Sequence, residues 1–414
     1  STSDLEKLEQ ELGATDRAFA LLIVKRLKGK AGLGSENARK LNSIPRDVVE
    51  ALQSRFKEHS HLEQAVLDEK DEQFDSVFTK NSGMRCPFLI GLYYQDKRFN
   101  GVSDYVKRIV ENIDSEEELR LLLAMAVVNY YGRIGMIKEL VKSYIPLTSN
   151  HDYLERYPYA KEAFIRIDDG AMGTRLYRQK HPLISQELME QCARKLYRSG
   201  LQENLKTVSE ELIRKILKIN KEGITLYYKN LLERMFVFKN ATDVDDNGYT
   251  SVEDFSPMIL ALPSQPSKEE VMCELAGQVK EVVDQLSAEG NILYFKMAAH
   301  ICGHLARLYN SAPASLKQIE NSRKSEEWCE HAEAIMKRGG FEDAYIYHMY
   351  GTSLSKQCQD KLNMWKSEAE SCSDNEISEL EILVERAMEK FEQAVAAGEV
   401  ERGYVSKLSL LMEY

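Results

Sequence analysis

The chain has 414 residues, 43% hydrophobic and 29% charged, with a formal net charge of −11. That length allows two or three domains with their own cores, and the balance is that of a globular protein, which excludes a disordered or fibrous class. The acidic charge argues against a broad phosphate-binding surface and leaves room for local basic patches only. No apolar run reaches 18 residues, so no membrane span is expected; the stretch from Leu119 to Tyr131 is too short. Seven dispersed cysteines with no C-x-x-C pair fit a reducing compartment, and a cytoplasmic location is expected. No secretory signal is visible at Ser1, and the missing initial Met suggests a processed or excised segment.

In chain order, residues 1 to 27 read as a helix followed by the compact apolar segment "RAFALLIVKRL", a buried helix or a strand, and Gly29 to Ser35 reads as a loop. "IPRDVVEALQSRFKEH" predicts a helix, with Pro45 in its first turn and Val48, Val49, Leu52 and Phe56 near a 3.6-residue period. In "GVSDYVKRIVENI", Ser103 is the expected N-cap, and Tyr105, Val106, Ile109 and Val110 form the apolar stripe. "DSEEELRLLLAMAVVNYYG" has the acidic start of a helix, an apolar body suited to burial on most faces, and Gly132 to end it. Short helices follow to about Tyr144. From 159 to 192 the pattern is strand, glycine-bearing turn, strand and helix, which after several helices suggests a winged-helix-like unit. Residues 205 to 233 are expected to be helical, packed through Leu212, Ile213, Ile216, Leu217 and Ile219. From about Lys268 onward, amphipathic helices carry small residues among large ones, and a polar break at Ser371 to Asn375 precedes the last. Such pairs suggest an α-solenoid of irregular period.

The chemistry-bearing patterns are few. "DVDDNGYTSVED", from Asp243 to Asp254, places oxygen-bearing side chains as a calcium loop does, with Gly248 for the sharp turn. Thr250 where an aliphatic residue is usual, Asp254 at the last ligand position and the Asn247-Gly248 turn pair favour a polar turn instead. "GKAGLGSENARK" lacks the order of a phosphate-binding loop and reads as a linker. His300 and His304 lie one helical turn apart with no obvious third ligand, so no metal is assigned. No catalytic set is assembled from the sequence, and no cofactor is assigned; a nonstandard enzyme would have to join His181 with Asp168 or Asp169. Arg175, Arg178, Lys180 and His181, with Gln179, form a basic cluster in an otherwise acidic chain. On a winged-helix-like unit it would meet nucleic acid or another domain.

The succession of "AFALLIVKRL", "PFLIGLYYQDKRFNGVSDYVKRIV", "EELRLLLAMAVVNYYG", "RQKHPLISQELMEQC", "FVFKN" with "FSPMI", "ICGHLARLYN", "WCEHAEAIMKRGG" and "AYIYHMYGTSLSKQ" resembles the sterile-alpha-motif-domain-containing protein nine family and its relatives. These are large signal-transduction-type NTPases with tetratricopeptide-like repeats. The resemblance spans most of the chain in short, diverged blocks. It implies that residues 1–80 end an NTPase-like core, 81–150 form a helical extension, 151–265 a winged-helix-like domain and 266–414 tetratricopeptide-like repeats. It also implies a role in innate antiviral defence or control of translation. The family's phosphate-binding loop and magnesium site match nothing here, so any NTPase activity would need upstream residues.

The expectation is therefore a mainly α protein: a helical core, a small winged-helix-like α/β part and a C-terminal α-solenoid. Its expected work is regulatory, through protein partners that meet Trp328, Tyr345, Tyr347, His348 and Tyr350, although aromatic residues at helical spacing are ordinarily core. Nucleic acid is the alternative partner.

Overall fold

The computed structural model describes residues 46–79, 87–145, 152–169, 174–237, 255–311, 318–368, 373–398 and 400–413. All of them fall in the compact unit formed by Ser43–Asn240 and Val252–Tyr414. The protein is mainly α-helical, with one three-stranded antiparallel sheet.

Helices α1 (Arg46–Glu58), α2 (Gln64–Thr79) and α3 (Pro87–Gln95) open the described chain. On α3, Gly91 admits the Phe56 ring of α1; a Cβ there would lie 2.9 Å from Phe56 Cε1. Tyr94 joins all three helices: its hydroxyl accepts from Gln53 Nε2 at 3.0 Å and donates to Asp71 Oδ1 at 2.7 Å.

Next come α4 (Val102–Glu111) and α5 (Glu116–Tyr131). The expected stripe of α4 is buried, but its N-cap is Gly101, at φ 142°, not Ser103. Gly101 alone tolerates that backbone conformation, which moves Ser103 into the first turn, where its hydroxyl donates to Glu187 Oε1 at 2.8 Å. Helix α5 starts as its acidic residues suggest: Ser115 caps it by accepting the Glu118 amide, and Glu116 to Glu118 oppose the helix dipole. Its body is buried from Leu121 through Asn129, because other elements cover nearly every face.

The sheet follows: β1 (Met136–Ile137), the short helices α6 (Lys138–Lys142), α7 (Tyr153–Arg156) and α8 (Ala160–Ala163), then the hairpin strands β2 (Phe164–Asp169) and β3 (Thr174–Gln179). The strand order is β1-β3-β2, with Met136 opposite Tyr177 and Arg166 opposite the same Tyr177 on the other side. Buried Asn129 of α5 secures the central strand. Its amide nitrogen donates to the Tyr177 carbonyl at 3.2 Å and its oxygen accepts from the Gln179 amide at 3.0 Å. Helix α9 (Pro182–Tyr197) begins at once, with Pro182 in its first turn, and packs across α4 and α5.

The helix expected over 205–233 is interrupted. Helix α10 (Leu201–Ile219) stops at Asn220, and α11 (Leu226–Leu232) starts afresh and runs into a π-helical turn, Glu233–Val237. The break falls at Asn220–Gly223, residues that favour turns. Leu212, Ile213, Ile216 and Leu217 are buried as the period implies, whereas Ile219 at the helix end is 38% exposed. Helix α12 (Pro257–Ala261) is capped by buried Ser256, whose hydroxyl is also bonded to the Met235 carbonyl.

The rest is helical: α13 (Gln265–Gln285), α14 (Ile292–Asn310), α15 (Gln318–Gly339), α16 (Ala344–Glu368), α17 (Asp374–Ala396) and α18 (Val400–Glu413). Each packs on the next, and α14 meets α16 as α16 meets α18. Small residues set the spacing. Gly351 of α16 takes the Phe391 ring of α17, and a Cβ there would lie 2.6 Å from Phe391 Cε1. Between α14, α15 and α16 several buried polar groups bond one another: Ser325 donates to the Ala306 carbonyl, Ser325 and Ser353 hydroxyls lie 2.6 Å apart, and the Asn310 amide nitrogen donates to Ser353.

Candidate functional site

The basic cluster of "TRLYRQKH" does not form one surface. Successive strand residues point to opposite faces, so Arg175 and Arg178, three apart on β3, leave the sheet on opposite sides. The Arg175 guanidinium lies 3.8 Å from Asp152 Oδ2, which Arg166 also approaches at 3.5 Å. Buried Asp152 in turn caps α7 and accepts from the Tyr177 hydroxyl, so this pairing organises the hairpin. The Lys180 amide donates to the Ala163 carbonyl, and desolvation lowers the pKa of its ammonium. His181 is the N-cap of α9. Its Nδ1 accepts from the Leu183 amide at 3.2 Å, its ring stacks on Phe88, and burial lowers its pKa.

Arg178 has a different setting. It is exposed on the β3 face that looks onto a cleft of about 320 Å³, where Arg133 and Arg234 join it. The three arginines come from three elements. Arg133 lies in the turn between α5 and β1, Arg178 on β3, and Arg234 in the π-helical turn after α11. Leu176, Ile134 and Leu226 supply apolar wall, and Asn230 and Tyr227 add polar groups.

The local sequence builds this cleft closely. Gly135 lies under β3, where a Cβ would be 2.7 Å from Arg178 Cγ and 3.1 Å from the Tyr177 carbonyl oxygen. Gly132 packs against Leu231 and Met235 in the same way. Between them Arg133 holds φ 54°, the left-handed region that residues with a Cβ seldom adopt. Beside Asn230 and Arg234 in sequence, Lys229 donates to both carboxylate oxygens of buried Glu233, at 2.7 and 2.6 Å. Arg178 and Arg234 make no ion pair among the described residues.

The five residues expected to meet partners sit in the helical array. Tyr347 and Tyr350 are buried, at 9% and 3% exposure, which accords with packing. Trp328 is half-buried against both core clusters, and half-buried His348 packs on Phe391. Half-buried Tyr345 stacks on His304 and shares a hydrogen bond with its Nδ1 at 3.1 Å. His300 turns instead to Asp343, with Nε2 3.0 Å from Oδ2. The two histidines one turn apart thus hydrogen-bond to different partners, although both rings contact Tyr345, and no group of three or more metal-ligand side chains occurs among the described residues.

The segments Asp243–Asp254 and Gly29–Ser35 lie outside the described residues, as do the side chains of Asp168 and Asp169. No helix among the described residues is long and apolar enough to cross a membrane. Comparison with protein-family models, curated proteins and solved structures finds no match to this chain. The grouping of Arg178 with Arg133 and Arg234 escaped the sequence reading. The bracketing glycines of "GRIG" were its one local signal, since a close backbone approach needs them.

Proposed function

We propose that the chain is a regulatory, protein-interaction region of a signal-transduction-type NTPase, acting in innate antiviral defence or control of translation as the sequence resemblance implies. One observation carries this reading: the order of the elements. Helix α5, strand β1, short helices and the β2-β3 hairpin with β3 central follow the order of a winged-helix unit. A run of helices follows, each packed on its neighbour, with α14 also on α16 and α16 on α18, which is compatible with a tetratricopeptide-like array. That succession, a small α/β unit feeding a helical array, suits a relay between an NTPase core and a partner-binding surface. In this reading 1–80 end the core, 81–150 extend it and contribute α5 and β1 to the winged-helix-like part that 151–265 otherwise hold, and 266–414 form the array. In this reading the chain works in the cytoplasm, and any NTPase activity needs residues upstream of it.

The test is reconstitution. Proteins captured by the tagged chain from cells are purified and titrated against it. A 1:1 complex tighter than about 10 μM, lost when exposed positions of the array such as Leu408 and Met412 are changed to Asp, supports the reading. Turnover of magnesium-ATP by the purified chain overturns it.

Nucleic acid as the alternative partner would need a continuous basic face. The division of Arg175 and Arg178 between two faces of β3 works against that version.

A further inference from the structure

We infer that the cleft between β3 and α11 binds the phosphate group of a small organic ligand through Arg178, Arg234 and Arg133. This does not depend on the regulatory reading and adds a ligand input to it.

Three observations converge. The first is charge. Arg133, Arg178 and Arg234 line one cleft of an acidic protein, and Arg178 and Arg234 have no carboxylate partner among the described residues. Like charges gathered around a concavity repel one another, and an anion between them turns that repulsion into attraction. Guanidinium is also the side chain whose planar fork matches phosphate oxygens two at a time.

The second is backbone. Arg133 sits at φ 54°, one of two non-glycine residues with positive φ among the described residues, and Arg234 lies in a π-helical turn. Both conformations are uncommon, both cost free energy, and both concentrate at functional sites. Here two of them fall at arginines from separate elements that line the same cleft. A purely structural turn at "GRIG" would be served better by glycine or asparagine at position 133.

The third is the neighbouring acid. Glu233, next to Arg234 in sequence, would be the obvious counter-charge. It is buried and held by Lys229 instead. That arrangement keeps a carboxylate out of the cleft.

Size and lining narrow the ligand. About 320 Å³ is at the small end of organic-ligand sites and fits a molecule of mononucleotide size rather than a duplex or a folded peptide. The walls from Leu176, Ile134 and the exposed Leu226 offer an apolar surface for the ligand's body, and Asn230 offers an amide for its polar edge. A phosphorylated metabolite with a flat or apolar moiety meets each of these features.

The test is calorimetric titration of the purified 414-residue chain at low salt with pyrophosphate, AMP and adenosine. The expected result is binding of pyrophosphate and AMP but not of adenosine, weakened at higher salt. R178Q and R234Q are each expected to weaken AMP by at least about tenfold, the usual loss for a hydrogen bond to a charged group. Leu226→Ser is expected to weaken AMP a few-fold and leave pyrophosphate unchanged. Arg178 is exposed, so R178Q decides the matter if R234Q loosens the π turn. No heat with either phosphate probe, or equal affinity in the R178Q/R234Q double variant, overturns the inference. Single-stranded RNA that binds about a hundredfold tighter than AMP and is lost in R178Q also overturns it, by reassigning the arginines to a nucleic-acid backbone.

Discussion

The hydroxyl of Tyr227 donates to the carbonyl of Gly135 at 2.7 Å and accepts from the Ile137 amide at 3.1 Å. One side chain from α11 thereby closes the hydrogen bonding of the turn that carries Arg133 and the start of β1. Tyr227 is buried, and burial raises its pKa far above the ordinary phenol range, so the hydroxyl stays protonated and able to donate. Tyr227→Phe removes both bonds and leaves a buried carbonyl and a buried amide without partners. The expected cost is about 1–3 kcal/mol, read as a lower urea midpoint. An unchanged midpoint would show that this tyrosine does not secure the turn.

Stability is expected to fall with acid from an unusually high pH. His304 is buried in the array, and burial, with help from the Arg307 and His300 charges, holds its pKa well below the ordinary histidine value. Its imidazole is neutral in the fold and takes a proton once the chain unfolds. Above the unfolded pKa near 6.5 both states are neutral there, and the stabilising difference is complete. As pH drops below that value the unfolded state gains protons first, and stability declines by up to about 1.4 kcal/mol per pH unit for this one group. Urea midpoints between pH 8 and 5.5 check this. His304→Gln should flatten the decline but not abolish it, because burial lowers His181 too and adds a slope of the same sign.

Thiol reactivity should separate by burial. Burial pushes the thiols of Cys192, Cys302 and Cys329 up to about 12, and that of Cys358 to about 11, so at neutral pH almost none is thiolate. Cys273 is only half-buried. Brief treatment of the native protein with a maleimide, followed by peptide mass spectrometry, is expected to modify Cys273 ahead of those four. Urea should make all five react. Early modification of Cys302 in the native state would mean that α14 opens readily.

How much of this was legible in the sequence follows from the range of the interactions involved. The α4 stripe, the start and end of α5 and the β2-β3 hairpin are written in residues a few positions apart, and they fold as the period and caps imply. The N-cap of α4 went to Gly101 because a backbone conformation, invisible in a one-dimensional pattern, outweighed a good capping side chain at Ser103. The break after Ile219 was masked by an apolar period that continues through Leu231. Strand β1 is only two residues long and exists because β3 has a free edge beside it. The basic cluster was visible as composition, but strand alternation divides it. The arginine cleft needs residues from a turn, a strand and a π-helical turn far apart in the chain, and no local period links them.

The array's geometry makes a last prediction at the contact between α16 and α17. Gly351 is buried directly under the Phe391 ring, with hypothetical Cβ distances of 2.6, 2.7 and 3.0 Å to three of its carbons. The ring is fully buried between helices and cannot swing into solvent. Gly351→Ala would ordinarily favour a helix by about 1 kcal/mol, since glycine is the poorer helix former. Here the added methyl must push α17 outward or force Phe391 from its rotamer, which costs about 1–3 kcal/mol. The steric term should win, giving a net loss of stability despite the better helix propensity. Pairing the change with Phe391→Leu, which makes room, should recover part of the loss, and a double-mutant cycle in urea measures that coupling. A stabilised Gly351→Ala protein would mean the two helices have slack at this point, and the spacing of the array would then be set elsewhere.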